Sequence, residues 1–455
     1  MKIIVIGDGK VGFTLTEVLT REGHDITVID NRKEVLSAAE ERLDVMVIGG
    51  NGASASVLRE AGVQQADLVI AVTARDEVNI LCCMLARKLG CKHTVARVRE
   101  ADYSDLYYLL RDELGLSMVV NPERSAAREI FGLIRYPSLL KRDLIAKGRA
   151  EIVEMAVRPG SKLDGLKLLD MYGMVKTRVL VCAVERHNEV YIPDGGFTLK
   201  GDDRVWVTAP SEHLLSFIRY TGMETSRIRS VMILGGSLIG FYLAQTLLKA
   251  GIDVKLLDND KAHCEALSES LDGITVVNDD ATNLATLLNE GIEESDAVVS
   301  LLNYDEQNIV ISMFANHIHV PKVIAKINRT EYSDILRRAG IECVITPRIL
   351  CTSDILRYVR AAESRQDSEV LALHRMVENQ VEALEFRANA RSWYLNVPLK
   401  NVPLKKDILV AVIGHTGTIV IPGGDSFFQE GDTVVIVAKS AMTLSNFNDI
   451  FAKQP

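Results

Sequence analysis

The first twelve residues, Met1–Gly12 (MKIIVIGDGKVG), decide how the chain is read. The apolar run Ile3–Ile6 has the pattern of a strand buried on both faces, as in a parallel sheet. It leads directly into Gly7-Asp8-Gly9-Lys10-Val11-Gly12, a G-x-G-x-x-G turn. In a dinucleotide-binding sheet such a turn opens a helix whose N-terminal amides face a pyrophosphate. Glycine-rich turns are common, so context decides. Here a strand precedes, a helical pattern follows, and Asp30 closes the next strand in DITVIDN. Asp30 is placed to accept hydrogen bonds from ribose hydroxyls, and its charge repels a 2′-phosphate, favouring NAD(H) over NADP(H). Gly7 permits the tight turn, Gly9 lets the backbone approach phosphates, and Gly12 lets the helix pack closely on the strand.

Outward from this turn, strand and helix patterns alternate to about residue 120. Strands are expected at 2–6, 25–30, 44–48, 67–72, 93–98 and 117–120, with helices at Thr14–Glu22, Lys33–Arg42, Ser54–Ala61 and Glu77–Leu89. This is the rhythm of a doubly wound α/β sheet, in which ligands sit at the carboxyl ends of the strands. The third-strand turn Gly49–Ser54, which contains Asn51, therefore faces the same crevice. So does AVTARDEVN, read as a loop carrying Thr73, Asp76 and Asn79. Arg97 ends the fifth strand, where it could reach a phosphate or make a surface ion pair. PERSAAREIFGLIRY (122–136) reads as an amphipathic helix, with Gly132 and Pro137 as places for a bend, and KRDLIAKGRA (141–150) as a linker. Residues 151–220 are β-branched and turn-rich, a small β-rich lobe with one or two helices.

Then the chain begins again. SVMILGGSLIG (230–240) repeats the opening, and LIGFYLAQTLLKAGIDVKLLDNDK follows KVGFTLTEVLTREGHDITVIDNRK nearly position for position. Gly7 corresponds to Gly235 and Asp30 to Asp258, both 228 positions on, while Asp67 and Asp296, Asp76 and Asp305, and Asn79 and Asn308 lie 229 apart. The small lobe repeats as well, VYIPDGG matching VIPGGD with Ile192 to Ile421 again 229 apart. A near-constant offset across both lobe types indicates tandem duplication. The expected architecture is two tandem Rossmann-type doubly wound parallel sheets, each followed by a small α+β lobe, divided as 1–140, 141–228, 229–362 and 363–455. The second turn reads Gly235-Gly236-Ser237-Leu238-Ile239-Gly240, so a serine replaces the second glycine. Asp258 and Asp280 keep acidic groups at strand ends, whereas Leu302 replaces Thr73 and Lys326 replaces Arg97.

Composition limits the function. At 455 residues, with 47% hydrophobic and 25% charged residues, the chain is ordinary globular material. It holds two to four domains at ~100–200 residues each. A net charge of -9 argues against a nucleic-acid surface. No stretch approaches the ~18 uninterrupted apolar residues of a membrane span. With no basic leader in view, the expectation is a soluble cytoplasmic protein. Seven scattered cysteines without a C-x-x-C pair read as buried thiols, and His317-Ile-His319 lacks the further ligands a metal needs. Neither small lobe offers an acid–base constellation beside a nicotinamide, so no catalytic or metal residues are assigned and a nucleotide sensor is favoured over a catalyst.

The quoted segments, with GNGAS, VLREAGVQQADLVIAVTARDEVN and ARVR and the tandem repeat, resemble the cytoplasmic regulatory subunits of Trk-type potassium uptake systems, over essentially the whole chain. The resemblance implies RCK (KTN) domains that bind NAD(H) or ATP/ADP. It further implies assembly as a homo-oligomeric ring, four chains supplying eight Rossmann lobes, that gates a membrane-embedded potassium channel subunit at the inner face of the membrane. It carries the nucleotide contacts onto Gly7 to Val11, Asp30, Asn51, Thr73 and Arg97. In the second half they fall on Gly235 to Ile239, Asp258 and Asp280. The alternatives are an NAD-dependent oxidoreductase with duplicated cofactor lobes and a regulator of another membrane transporter.

Overall fold

A computed structural model describes residues 1–100, 103, 115–174, 178–222, 227–363, 370–377, 380–415, 418–440, 442, 444 and 446–454. The opening run forms β1 (Lys2–Ile6), four of whose five residues are buried. It joins β2 (Asp25–Asp30), β3 (Met46–Gly49), β4 (Leu68–Ala71), β5 (His93–Arg97) and β6 (Met118–Val120). All the pairings are parallel and the order is β3-β2-β1-β4-β5-β6. The order reverses between β1 and β4, so a crevice opens at their carboxyl ends, between the glycine turn and the loop at Thr73. The helix Lys10–Arg21 buries Val11, Gly12, Leu15, Thr16 and Leu19, the stripe of an amphipathic helix laid on a sheet. It starts at Lys10 rather than Thr14 because Gly9 is its N-cap.

A small antiparallel sheet follows, built from β7 (Lys141–Ile145), β8 (Ala150–Ala156), β9 (Leu180–Arg186), β10 (Glu189–Tyr191) and β11 (Arg204–Pro210) in the order β10-β9-β11-β8-β7. The expected linker is thus an edge strand, β7, whose Lys141, Arg142 and Asp143 sit at the sheet margin, plus the start of β8. Charged edge strands resist pairing with other chains, and the same charges give them the look of a linker in sequence.

The second half reproduces both sheets. β12 (Ser230–Leu234), β13 (Asp253–Asp258), β14 (Thr275–Asn278), β15 (Ala297–Ser300), β16 (Lys322–Lys326) and β17 (Cys343–Ile345) are ordered β14-β13-β12-β15-β16-β17. β18 (Val370–Met376), β19 (Val381–Arg387), β20 (Ile408–His415), β21 (Thr418–Val420) and β22 (Thr433–Lys439) are ordered β18-β19-β22-β20-β21. Read strand for strand, both orders equal those of the first half.

Like lobes pack together. Residues 1–131 and 228–358, the two parallel sheets, form one compact unit; residues 132–227 and 359–455, the two antiparallel sheets, form another. The helices Pro122–Arg135 and Pro347–Glu363 carry the chain from one to the other. In the antiparallel unit, Ile152 and Trp206 share a core with Met376, Val381, Ala411 and Val435. In the parallel unit the lobes meet through Tyr242, whose hydroxyl donates to the Arg99 carbonyl (2.6 Å) beneath the Arg124 guanidinium. Ser125 also donates to Asp354 (3.0 Å), and Tyr358 lies 3.0 Å from His93. All seven cysteines are buried. Among the described residues no helix is long and apolar enough to cross a membrane.

Candidate nucleotide cleft

A cleft of about 1030 Å³ lies in the parallel unit over the first glycine turn. Of the residues assigned to the first site, Gly7, Gly9, Lys10, Val11, Asp30, Asn51, Thr73 and Arg97 line it; Asp8 and Gly12 are buried and do not. The glycines do three different jobs. Gly7 has φ +90°, and a Cβ there would come within 2.9 Å of the Thr73 backbone. A Cβ at Gly12 would sit 2.1 Å from the Gly7 carbonyl oxygen, so helix and strand can touch only through glycine. A Cβ at Gly9 would meet nothing within 4 Å: here the turn opens onto the cleft at a helix N-terminus. That is the geometry a pyrophosphate needs.

Asp30 stands at the end of β2, as the sequence suggested, with both oxygens engaged. The Asp8 amide donates to Oδ2 (2.9 Å), the Arg32 amide and Nε to Oδ1 (2.9 and 3.0 Å), and Arg32 Nη2 to Oδ2 (3.0 Å). Burial raises the Asp30 pKa, but the bonds from Arg32 and Asp8 outweigh it and hold the carboxyl below its ordinary value. Arg32 was not singled out from sequence. It engages both oxygens of the carboxylate that the sequence reading assigns to the ribose hydroxyls. Asp8 is 3% exposed. Burial pushes its pKa up to about 6, against the hydrogen bond from Thr16 and with the help of the Asp30 charge.

Asp76 and Asn79 are not loop residues over the crevice. Both are buried in the first turn of the helix Asp76–Lys88. Asn79 accepts from the Thr73 amide (2.8 Å) and donates to the carbonyls of Thr73 and Arg97 (3.2 and 2.9 Å), tying β4 to β5. Asp76 accepts from the amides of Arg99 and Glu100 (2.7 and 3.0 Å). Asn308 and Asp305 repeat these ties. Asn79 thereby holds the Thr73 loop and Asn308 the Leu302 loop, and none of the four lines the cleft over the first glycine turn. Arg97 faces the cleft and pairs with Glu123 at 3.0 Å, both side chains mostly buried.

The second-half residues divide. Ser237, Leu238 and Ile239 line this same cleft from the facing lobe, beside Lys326, Asn328, Pro347 and Arg348. Gly235, Gly236, Asp258 and Asp280 do not line it. Asp258 accepts from the Gly236 amide (2.6 Å) and the Asp260 amide (2.8 Å). A Cβ at Gly236 would meet Leu267 at 2.9 Å and Asp258 at 3.1 Å, so the space around this turn is filled. Asp280 is exposed and folds onto its own loop, accepting from the Thr282 amide and hydroxyl (2.8 and 2.7 Å). Sequence reasoning missed Arg348; its position is visible only by matching Pro122-Glu123 to Pro347-Arg348.

Fold and cleft define a protein of the paired Rossmann-lobe class, with a cleft at the first glycine turn. The TrkA-N domain profile matches residues 3–122 and 231–347, and the TrkA-C domain profile residues 152–222. The chain is 30% identical over 453 residues to the Trk system potassium uptake protein TrkA homolog 2 of Methanosarcina mazei, covering 98% of this chain and 99% of that one. It is 31% identical over 439 residues to the Trk system potassium uptake protein TrkA of Halomonas elongata, covering 96% and 95%. Among solved structures, the GsuK channel bound to NAD superposes with a TM-score of 0.64 at 20% identity, covering 97% of this chain and 77% of that one. The chain belongs to the TrkA family.

Proposed function

We propose that the chain is the nucleotide-sensing regulatory subunit of a Trk-type potassium uptake system. It works without catalysis, at the inner face of the membrane, on a membrane-embedded channel subunit. The observation that carries this reading is the opening of Gly9 onto the cleft at the switch point of the first sheet. The names of the relatives supply the transport system. In this reading Gly7, Gly9, Lys10, Val11, Asp30, Asn51, Thr73 and Arg97 contact NAD(H) or an adenine nucleotide. The lobes divide near residues 140, 228 and 362, and four chains form the ring.

A ligand shifts the ring only through its differential affinity for two conformations. A preference of about 100-fold is worth roughly 2.7 kcal/mol, enough to move a balanced equilibrium almost wholly to one side. The test is purification of the tagged chain from membranes of its own cell. Recovery of a Trk-type channel subunit, with open probability that responds to NADH or ADP, is the expected result. Steady oxidation of NADH with a small carbonyl substrate, lost in Asp30→Ala, would contradict it.

A further inference from the structure

The charge lining the cleft is unbalanced. Lys10, Arg32, Arg75, Arg97, Lys326 and Arg348 face it, against Asp30 and Glu123 alone. Arg32 holds both oxygens of Asp30, and Arg97 holds Glu123 through Oε1, leaving Glu123 Oε2 buried without a hydrogen-bond partner. Arg75 turns outward toward Glu77. Among the described residues Lys10, Lys326 and Arg348 carry no ion pair; Lys10 stands on the first glycine turn, and the other two come from the second lobe.

The duplication shows how unusual that pair is. Arg97 ends β5 and Glu123 follows Pro122; their counterparts are Lys326, ending β16, and Arg348, following Pro347. The first half thus holds a neutral arginine–glutamate pair where the second half holds two cations. Lys326 is only 9% exposed, and its ammonium meets the Leu301 carbonyl at 3.3 Å and no carboxylate. Burial lowers its pKa, with Lys10 acting in the same direction and Asp305 and Glu123 against it. Arg348 Nε and Ser237 Oγ are also buried without hydrogen-bond partners, as is Arg97 Nε across from them. Buried cations and orphaned donors are costly unless an anion satisfies them. The cleft they line is the one that the first glycine turn opens onto.

We propose that Lys326 and Arg348 hold the terminal phosphates of a nucleoside di- or triphosphate whose nucleoside end is seated on the first lobe. One ligand then spans both lobes. The second lobe serves as the phosphate-tail reader of the first site instead of holding a nucleotide of its own in this cleft. This rests on the reading of the first lobe as a nucleotide site and adds the ligand class and the residues that select it. Fixed guanidinium and ammonium donors favour phosphate over a neutral group at this end of the ligand.

The experiment is calorimetric titration of the full chain with AMP, ADP and ATP. Wild type is expected to bind more tightly with each added phosphate. Lys326→Gln and Arg348→Gln should each weaken ATP by about tenfold or more while leaving AMP within about twofold. Lys326→Arg, which keeps the charge, should restore the phosphate ladder and guards against a folding defect. An unchanged ladder in both glutamine variants overturns the proposal while leaving the first-lobe site intact. Absence of any nucleotide binding by wild type overturns the site itself, and the tail reader with it.

Discussion

The two glycine turns share a backbone and differ in what they face. Gly7 and Gly235 both have positive φ, +90° and +110°, and Gly12 and Gly240 both press against a carbonyl oxygen, with Cβ positions 2.1 and 2.5 Å from it. Asp30 and Asp258 both accept a hydrogen bond from the amide of the turn's second residue. These are the parts that build the sheet, and both copies have them. What differs is what a ligand would touch: Gly9 against Ser237, Thr73 against Leu302, and Arg97 with Glu123 against Lys326 with Arg348. Arg32, which clamps Asp30, is matched by Asp260, which caps the helix Lys261–Ser270. The copies share the contacts that shape the turn and differ in most of the residues that line the cleft; Asp30 belongs to both sets, since it braces the turn and also lines the cleft, whereas Asp258 does not.

The largest effect expected from this division falls equally on both halves. Gly12→Ala and Gly240→Ala force a Cβ against backbone that cannot move aside, and each should cost about 3 kcal/mol or more, above ordinary overpacking. Urea unfolding of the two variants measures this. A large loss in one half with none in the other would break the claim that these glycines serve packing. The next effect should be one-sided. Asp30→Ala should weaken nucleotide binding at least about tenfold, the scale of a lost charge-assisted hydrogen bond, whereas Asp258→Ala should leave affinity unchanged. Equal losses would mean that both crevices bind.

The smallest effect concerns Asp8, whose counterpart is Gly236. A folded-state pKa of about 6 lies above the unfolded value near 4, so the native chain holds a proton there that the unfolded chain has released. The contribution of Asp8 is fully favourable below about pH 4 and is lost as pH rises through 6. Asp8→Asn keeps an acceptor for Thr16 without the charge. It should raise stability at pH 7.5 by roughly 1–2 kcal/mol and remove that part of the fall between pH 4 and 6. Thermal unfolding at pH 4.5 and 7.5 reads it; an identical pH dependence in the variant would show that another group titrates.

Much of this division is written locally in the sequence. The apolar strands, the helix Lys33–Arg42 and the glycine turns follow from short-range pattern, and the structure places them where the pattern does. β7 was hidden because an edge strand buries little and carries charge, which is also what a linker does. Asp76 and Asn79 looked like ligand groups because a polar residue after a strand serves equally to bind a substrate or a neighbouring backbone. The cleft's far wall was the least legible part. Lys326 was visible only as a replaced Arg97, and Arg348 not at all, because the wall exists only once the second lobe packs against the first. The repeat offset also shortens to 225 between β6 and β17, which hides the Glu123–Arg348 match.

The central claim is that one of two equivalent sheets carries the switch. Equilibrium titration of the full chain with ADP, counting bound nucleotide per chain, tests it directly. The account predicts one nucleotide per chain, lost when Gly9→Val fills the opening of the first turn. Two equal sites per chain, or one that survives Gly9→Val, would contradict it.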